Sequence, residues 1–187
     1  MKIQDIFSDL PNLETERLIL RKITIQDAAE MYEYSSVPQV YEYVPWETHK
    51  TIEDSMGFIE YVLKQYESGH LAPWAIELKA EKKMIGTIDF VSRSPSHYTA
   101  EMGFILSKTY WGKGLIKEAA GMVMEFGLEK MDLNRIEASC MSENVQSKRV
   151  PHKLGMKLEG ISREKHFIKG KFRDMANYAL LKSEFEG

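Results

Sequence analysis

Tyr110-Trp111-Gly112-Lys113-Gly114-Leu115 joins an apolar run ending at Leu106 to a long stretch of helical spacing, Leu115 to Met131. Two glycines one residue apart at a strand-to-helix junction let the backbone turn its N–H groups toward one point, at the positive end of the helix dipole. The turn reads either as an anion cradle or as a bend that carries glycine for steric reasons alone. Its spacing is neither Gly-x-Gly-x-x-Gly nor that of a P-loop, and no Lys-Ser or Lys-Thr follows the second glycine, which argues against a Rossmann dehydrogenase or a nucleoside triphosphatase. Lys108, Lys113 and Lys117 gather positive charge around the turn in a chain of net charge -3, an arrangement that suits a diphosphate.

Upstream of the turn, three strand-like runs, Ala72 to Leu78, Met84 to Val91 and Thr99 to Leu106, are separated by polar turns at Ala80 to Lys83 and Ser92 to Ser96, the pattern of an antiparallel meander. Downstream, Ile116, Ala119, Ala120, Val123, Met124 and Leu128 fall at helical spacing, and Arg135 to Met141 is another strand. A strand, a turn, a helix and a strand make a right-handed crossover, so the strands ending at Leu106 and Met141 are predicted to run near-parallel. Asn144 to Leu154 reads as a shorter helix stopped by Gly155, and Lys157 to Ile168 with Lys171 to Leu181 as a hairpin about Lys169-Gly170. Before the meander, Arg17 to Ile23 alternates as a half-buried strand, and Thr24 or Asp27 can cap a short helix to about Tyr34. Ser35 to Lys50 is aromatic and proline-broken. From Thr51 a helix carries Ile52, Met56, Ile59, Val62 or Leu63 and Tyr66 on one stripe, with Gly69 as its stop. The expectation is an α+β fold with one central mixed, mostly antiparallel sheet flanked by helices, residues 1–187 forming a single domain.

Composition sets the outer limits. At 187 residues, 43% apolar and 28% charged, the chain has the profile of a soluble globular domain, and its charge gives no overall pull toward nucleic acid or an anionic membrane. The single Cys140 excludes an internal disulfide framework, and five scattered histidines without Cys pairs give no metal-ligand spacing. Lys2, Asp5 and Asp9 interrupt the apolar residues of the N-terminus, so no signal peptide is expected, and no apolar run is long enough to span a bilayer; the expected location is cytoplasmic.

Leu106-Ser107-Lys108-Thr109-Tyr110-Trp111-Gly112-Lys113-Gly114-Leu115 with Glu118-Ala119, then Glu143-Asn144-Val145-Gln146-Ser147-Lys148-Arg149-Val150, then Lys153-Leu154-Gly155-Met156, resembles the GNAT acyltransferases. The likeness is greatest to the Rim-type enzymes that acetylate ribosomal-protein N-termini, and it extends to Leu13-Glu14-Thr15-Glu16-Arg17-Leu18, Val44-Pro45-Trp46, Asp174 and Tyr178. The resemblance implies a sheet splayed into a V between two near-parallel strands, with acetyl-CoA as co-substrate and no metal. Phe104, Ile105 and Leu106 would line the donor, Gly112, Lys113, Gly114 and Leu115 would hold its pyrophosphate, Asn144 would bond the pantetheine arm and Ser147 would lie near the sulfur. Read from the residues alone, Asn144 is a helix cap and Ser147 an ordinary surface serine. Thr109 stands where relatives often have Gln or Arg. Pro151 stands where many members outside the Rim-type group place a tyrosine acid, which leaves Ser147 or a water to protonate the departing thiolate.

Acetyl transfer to an amine needs the amine unprotonated, so a carboxylate, direct or through water, is required as base. Glu101 is the first candidate, sharing a strand face with Gly103, and Asp89 on the preceding strand is the second; a solvent-facing glutamate and a cross-strand partner are the corresponding structural readings. Tyr43 and Trp46, with Tyr41, Glu42 and Glu47, form an aromatic and acidic segment suited to a cationic amine or peptide N-terminus, or else a segment packed beneath its own loop. The expected reaction is direct acetyl transfer to a primary amine, a ribosomal-protein N-terminus first and a polyamine or antibiotic next. A non-catalytic acyl-CoA-binding module is the reading from a different class. Nucleic-acid binding lacks a basic stripe, and a homodimer is compatible with the sequence without being argued by it.

Overall fold

The computed structural model describes residues 3–185, with side chains from Ile6 onward. Its frame is an eight-stranded sheet in the order β1-β2-β3-β4-β5-β6-β8-β7, formed by Leu13–Glu14 (β1), Leu18–Lys22 (β2), Trp74–Leu78 (β3), Lys83–Ser94 (β4), Thr99–Leu106 (β5), Arg135–Met141 (β6), Lys157–Ile168 (β7) and Lys171–Leu181 (β8). All neighbours are antiparallel except β5 and β6, which are parallel. The mixed, mostly antiparallel sheet and its one parallel pair are those anticipated from the meander and crossover.

Helices α1 (Ile3–Ser8), α2 (Ala28–Ser35), α3 (Pro38–Tyr41), α4 (Ile52–Glu67), α5 (Leu115–Glu129) and α6 (Val145–Lys153) complete the fold. On one face of the sheet, α5 buries Ala119, Ala120, Val123 and Met124. The helix lies so close that a Cβ on Gly127 would come within 2.7 Å of the Phe90 ring. Truncating a fully buried ring such as Phe90 at this contact costs about 3–5 kcal/mol in typical cores. Trp74 meets Phe126 of α5 edge-on at 5.7 Å and is paired with Ile88, so Gly86, Ile88 and Phe90, in the regular stretch of β4 between its two bulges, face α5.

Helix α2 packs against α4 and β4, where Glu30 Oε2 accepts the Met84 N–H at 2.6 Å. The entry to α2 is fixed by Thr24 and Asp27, whose carboxylate accepts the Thr24 N–H at 2.7 Å and receives a two-pronged Arg21 guanidinium. That pairing holds the Asp27 carboxyl below its usual range in spite of burial, which pushes the other way.

Two local expectations are corrected. Ile52 and Met56 are exposed, and the buried stripe of α4 is Ser55, Ile59, Val62 and Tyr66, because Ser55 turns inward to meet His49 Nδ1 at 2.8 Å. The polar residues Ser92 to Ser94 continue β4 rather than forming a turn. A bulge between Phe90 and Ser92 absorbs one residue, pairing resumes at Ser92 with Glu101, and the reversal is a short 3-10 turn, Pro95–His97. At the hairpin tip, Lys169 and Gly170 both have positive φ, as the sequence anticipated for a tight turn.

Candidate active site

Strands β5 and β6 pair only through Thr99 with Arg135, Ala100 with Ile136 and Glu101 with Glu137. Past that point β5 remains with β4 as far as Leu106, and β6 with β8 as far as Met141. The two central strands therefore part into a wedge with a backbone edge on each side. The bulge in β4 lies level with the last parallel pair, where its extra twist helps turn β5 away.

At one mouth of the wedge stands the glycine turn. A 3-10 turn, Lys108–Tyr110, leads into it, and the Trp111 indole N–H anchors it by donating to the Leu106 carbonyl at 2.8 Å. Gly112 and Gly114 have φ of +78° and +77°, the left-handed region that glycine enters without strain, and Leu115 begins α5 directly afterwards. Gly112, Lys113 and Gly114 are exposed, and their N–H groups are not taken up by any backbone partner among the described residues. Such a turn at a helix N-terminus has the chemistry of a phosphate site. Lys108, Lys113 and Lys117 are all exposed around it, with Lys113 Nζ 5.0 Å from the Tyr110 ring centre.

The turn is fastened from a distance. Arg17 Nη1 donates to the Lys113 carbonyl at 3.1 Å, and Arg17 Nε and Nη2 meet Glu118 Oε2 at 2.7 and 2.6 Å. Glu118 Oε1 also accepts the Arg17 N–H at 2.9 Å and the Thr15 hydroxyl. These donors hold the Glu118 carboxyl below its ordinary range although burial opposes them. The motifs Leu13–Leu18 and Glu118-Ala119 were noted in the sequence without a role; only the fold joins them.

Across the wedge, Asn144 caps α6: its Oδ1 accepts the Ser147 N–H at 3.0 Å and its Nδ2 donates to Ser147 Oγ at 2.8 Å. Because that hydroxyl oxygen already accepts a bond, its own hydrogen is free to donate elsewhere. Pro151 lies inside α6 and has no N–H to give to the Ser147 carbonyl four residues back. Helix α6 ends at Gly155, with φ of +76°.

The carboxylates expected at the acceptor side lie on β4 and β5. Asp89 is paired with Gly103, and a Cβ on Gly103 would lie 2.7 Å from Val91 Cγ1 and 3.3 Å from Asp89 Oδ1, so glycine is what lets the Val91 and Asp89 side chains close over β5 at this point. Glu101 shares this face, which is the one turned away from α5. Asp89 keeps a sliver of accessible surface while protein atoms crowd it on most sides, and burial pushes its carboxyl up to about 7. Glu101 is also raised by burial, with Glu137 adding to the shift and Lys165 and His166 opposing it. Glu101 sits at the last parallel pair, below the opening, whereas Asp89 lies level with it.

Tyr43 packs against Met141, Ile168 and Met175, and Lys169 Nζ donates to the Tyr41 carbonyl at 2.5 Å, tying the irregular segment to the β7–β8 hairpin. Trp46 is 51% exposed and stands apart from that cluster. Phe104 and Ile105 are half-buried and Leu106 buried on β5. Burial raises the Cys140 thiol above its usual value, which makes it a poor nucleophile. Among the described residues, no group of His, Cys, Asp and Glu is arranged to hold a metal ion, and no helix is long and apolar enough to cross a membrane.

Comparison with known proteins meets this geometry. The profile of the acetyltransferase (GNAT) domain matches residues 17–157. The uncharacterized N-acetyltransferase YoaA of Bacillus subtilis is 33% identical over 172 residues, 92% of this chain and 97% of that protein. At lower coverage, the ribosomal-protein-serine acetyltransferase of Escherichia coli is 30% identical over 54% of this chain and 56% of its own length. The spermidine N(1)-acetyltransferase of the same organism is 28% identical over 60% and 59%. A crystal structure of a GNAT-family acetyltransferase from Bacillus anthracis superposes with a TM-score of 0.83 at 31% identity, covering 93% of this chain and 100% of that one. A splayed sheet, a glycine turn at its mouth and full-length relatives all lead to one assignment: the chain belongs to the GNAT family and is an acetyl-CoA-dependent N-acetyltransferase.

Proposed function

We propose that this enzyme acetylates the α-amine of a protein N-terminus, a ribosomal protein in the first instance, with residues 1–187 acting as one catalytic unit in the cytoplasm. The observation that carries the reading is Asp89, a half-buried carboxylate that lies level with the opening of the wedge and is raised to about 7 by the protein atoms around it. A base of that strength is matched to its substrate. Model α-amines lose their proton at about 7.7–8.0 and lysine-like amines at about 10.4, so proton transfer to Asp89 costs about 1 kcal/mol for the former and about 4–5 kcal/mol for the latter.

The donor supplies an acetyl group activated as a thioester. Gly112, Lys113, Gly114 and Leu115 would hold its diphosphate, Phe104 to Leu106 and Asn144 its pantetheine arm. Asp89 takes the proton from the incoming ammonium, and the freed amine forms the new C–N bond as the C–S bond breaks. Glu101 draws the cation into the channel and stands as the alternative base. A backbone N–H near Ile105 meets the carbonyl oxygen as charge builds there. The Ser147 hydroxyl, its oxygen held by Asn144, donates its proton to the departing sulfur and regains one, relayed through solvent, from the nitrogen as the amide forms. Tyr43 and Trp46 guide the peptide's first residues.

A second reading, a polyamine acceptor, is favoured by the exposed Glu42 and Glu47 beside Trp46 and by the similarity to a spermidine acetyltransferase. Thiol release from acetyl-CoA separates the two. Peptides with a free N-terminal amine are expected to react at neutral pH at least about 100-fold faster than spermidine or an N-blocked lysine, in line with the proton-transfer costs above. The reverse order of rates sinks the proposal. In cells, mass spectrometry of ribosomal-protein N-termini with and without the gene names the acceptor.

A further inference from the structure

The glycine turn has little packing of its own. A Cβ on Gly112 would meet nothing within 4 Å, the residues Gly112 to Gly114 are exposed, and two glycines with positive φ in three residues carry more backbone freedom than any other pair. An anion site that must be frozen each time a ligand arrives loses affinity to that ordering. Something has to hold the turn in shape beforehand, and the Trp111 indole bond to Leu106 fixes only its upstream side.

The downstream side is held by residues from the other end of the chain. In a planar trans peptide the C=O and the following N–H point in opposite directions. Arg17 Nη1 binds the Lys113 carbonyl, and so the Gly114 N–H of the same peptide unit is turned the other way, away from Arg17. Arg17 is itself immobilised: its Nε and Nη2 are locked on Glu118 Oε2, and its own backbone N–H on Glu118 Oε1, an oxygen that also takes the Thr15 hydroxyl. Glu118 lies 103 residues from Thr15 in sequence and in the first turns of α5, with its N–H donating to the Gly114 carbonyl at 3.2 Å. One carboxylate thus gathers Thr15, Arg17 and the start of α5 into a closed set of contacts around the turn.

We propose that Thr15, Arg17 and Glu118 are positioning residues for the donor: they form a brace that aims the Gly114 N–H and keeps the Gly112–Leu115 turn ready for a diphosphate. The proposal rests on the cradle reading given above, that this turn receives the diphosphate of coenzyme A. It assigns no contact between the brace and the reacting atoms. Its energetic signature is therefore confined to ligands that carry the diphosphate.

The test compares coenzyme A with pantetheine, which keeps the thiol arm and lacks the diphosphate and nucleotide. Equilibrium binding of each is measured by calorimetry on the full chain, and turnover with the two acetylated forms. Glu118→Gln is the informative variant, because its amide oxygen still accepts from Thr15 and the Arg17 N–H while its NH₂ faces two Arg17 donors, breaking the charged half of the brace. Thr15→Val removes one hydroxyl from the same carboxylate, together with the acceptor of the Leu18 N–H, and is the companion that keeps the Arg17–Glu118 pair intact, guarding against a Glu118 variant that fails to fold. The expected result is a Kd for coenzyme A raised about tenfold by Glu118→Gln and about threefold by Thr15→Val, with pantetheine binding and acetyl-pantetheine turnover changed less than about twofold. Equal losses on both ligands make the brace a general support of the fold and overturn the proposal. So does unchanged discrimination between the two ligands in Glu118→Gln. If the wild-type protein itself binds the two ligands alike, the cradle reading fails with it, and that outcome is distinct from the other two.

Discussion

In the reading proposed above, the donor mouth and the acceptor mouth of the wedge are made of different materials. The donor mouth is backbone: a contiguous turn, Trp111 to Leu115, whose working groups are N–H dipoles at a helix start. The acceptor mouth proposed above is side chain: Asp89 from β4 and Glu101 from β5, with Tyr43 from the irregular segment, which packs on its own cluster of Met141, Ile168 and Met175. A backbone cradle recognises the charge and shape of a phosphate and tolerates changes at neighbouring side chains. A side-chain channel can be retuned one residue at a time. On that reading the fold separates a fixed donor chemistry from an adjustable acceptor chemistry, and the relatives, which include a ribosomal-protein and a spermidine acetyltransferase, are in keeping with that division.

The largest effect that sharpens the contrast is expected at Asp89. Asp89→Asn keeps the shape and removes the base, so turnover at saturating donor is expected to fall about 100-fold or more while the Kd for coenzyme A stays within about twofold. The wild-type rate is expected to rise with pH through about 7, as Asp89 loses its proton, and that limb to flatten in the variant. Stability moves the opposite way. The folded carboxyl titrates at about 7 against 3.8 ordinarily, so the native state holds this proton more tightly than the unfolded chain does. The resulting stabilisation is complete below the ordinary value and is lost as pH rises through about 7. Above that, the wild type carries a desolvated charge that asparagine lacks. The variant is expected to be more stable at about pH 8 by about 1–2 kcal/mol, read from denaturant midpoints, with no gain at about pH 4. A variant that is as active as wild type removes Asp89 from the chemistry and returns Glu101 to first place.

Ser147 tests whether the donor mouth also uses a side chain. In Ser147→Ala the Asn144 Oδ1 cap on the residue 147 N–H persists, because the donor is a backbone N–H, and the hydroxyl is lost together with its bond from Asn144 Nδ2. Turnover is expected to fall about tenfold with donor affinity and melting temperature little changed, since a single positioned proton donor contributes at the low end of acid catalysis. An unchanged rate assigns protonation of the sulfur to water.

How much of this could be read from the chain follows the same division. The glycine turn, the crossover and the cap at Asn144 are local: their residues are neighbours in sequence, and glycine, Asn and helical spacing each have one dominant physical use. The meander was legible for the same reason, although the bulge in β4 hid the true length of that strand behind Ser92 to Ser94, because a bulge is decided by the partner strand. The brace was not legible. Thr15 and Glu118 are ordinary polar residues until folding places one carboxylate against both Thr15 and Arg17. From the sequence Glu101 ranks first and Asp89 second as base, and we propose the reverse order. Their ranking depends on how burial differs between two positions of one sheet face, and alternation along a strand carries no such depth.

The smallest expected effect concerns Trp46, where the acceptor mouth meets solvent. Its side chain is half exposed and lies outside the cluster that holds Tyr43, but its indole is hydrogen-bonded to the hydroxyl of buried Tyr41, so Trp46→Ala is expected to cost about 1 kcal/mol of stability, the usual net worth of one such bond. An exposed indole is nonetheless a strong surface for a peptide's first side chains or its ammonium group, at about 0.5–1 kcal/mol when solvent-facing. The KM for a peptide acceptor is therefore expected to rise about two- to fivefold in Trp46→Ala, with kcat and the Kd for coenzyme A unchanged. Tyr43→Ala offers the internal control, because Tyr43 is packed on Met141, Ile168 and Met175 and its removal loosens the hairpin as well. If Trp46→Ala instead weakens coenzyme A and leaves the peptide KM alone, the indole belongs to the donor mouth, and the assignment of one mouth to each substrate must be redrawn from that residue outward.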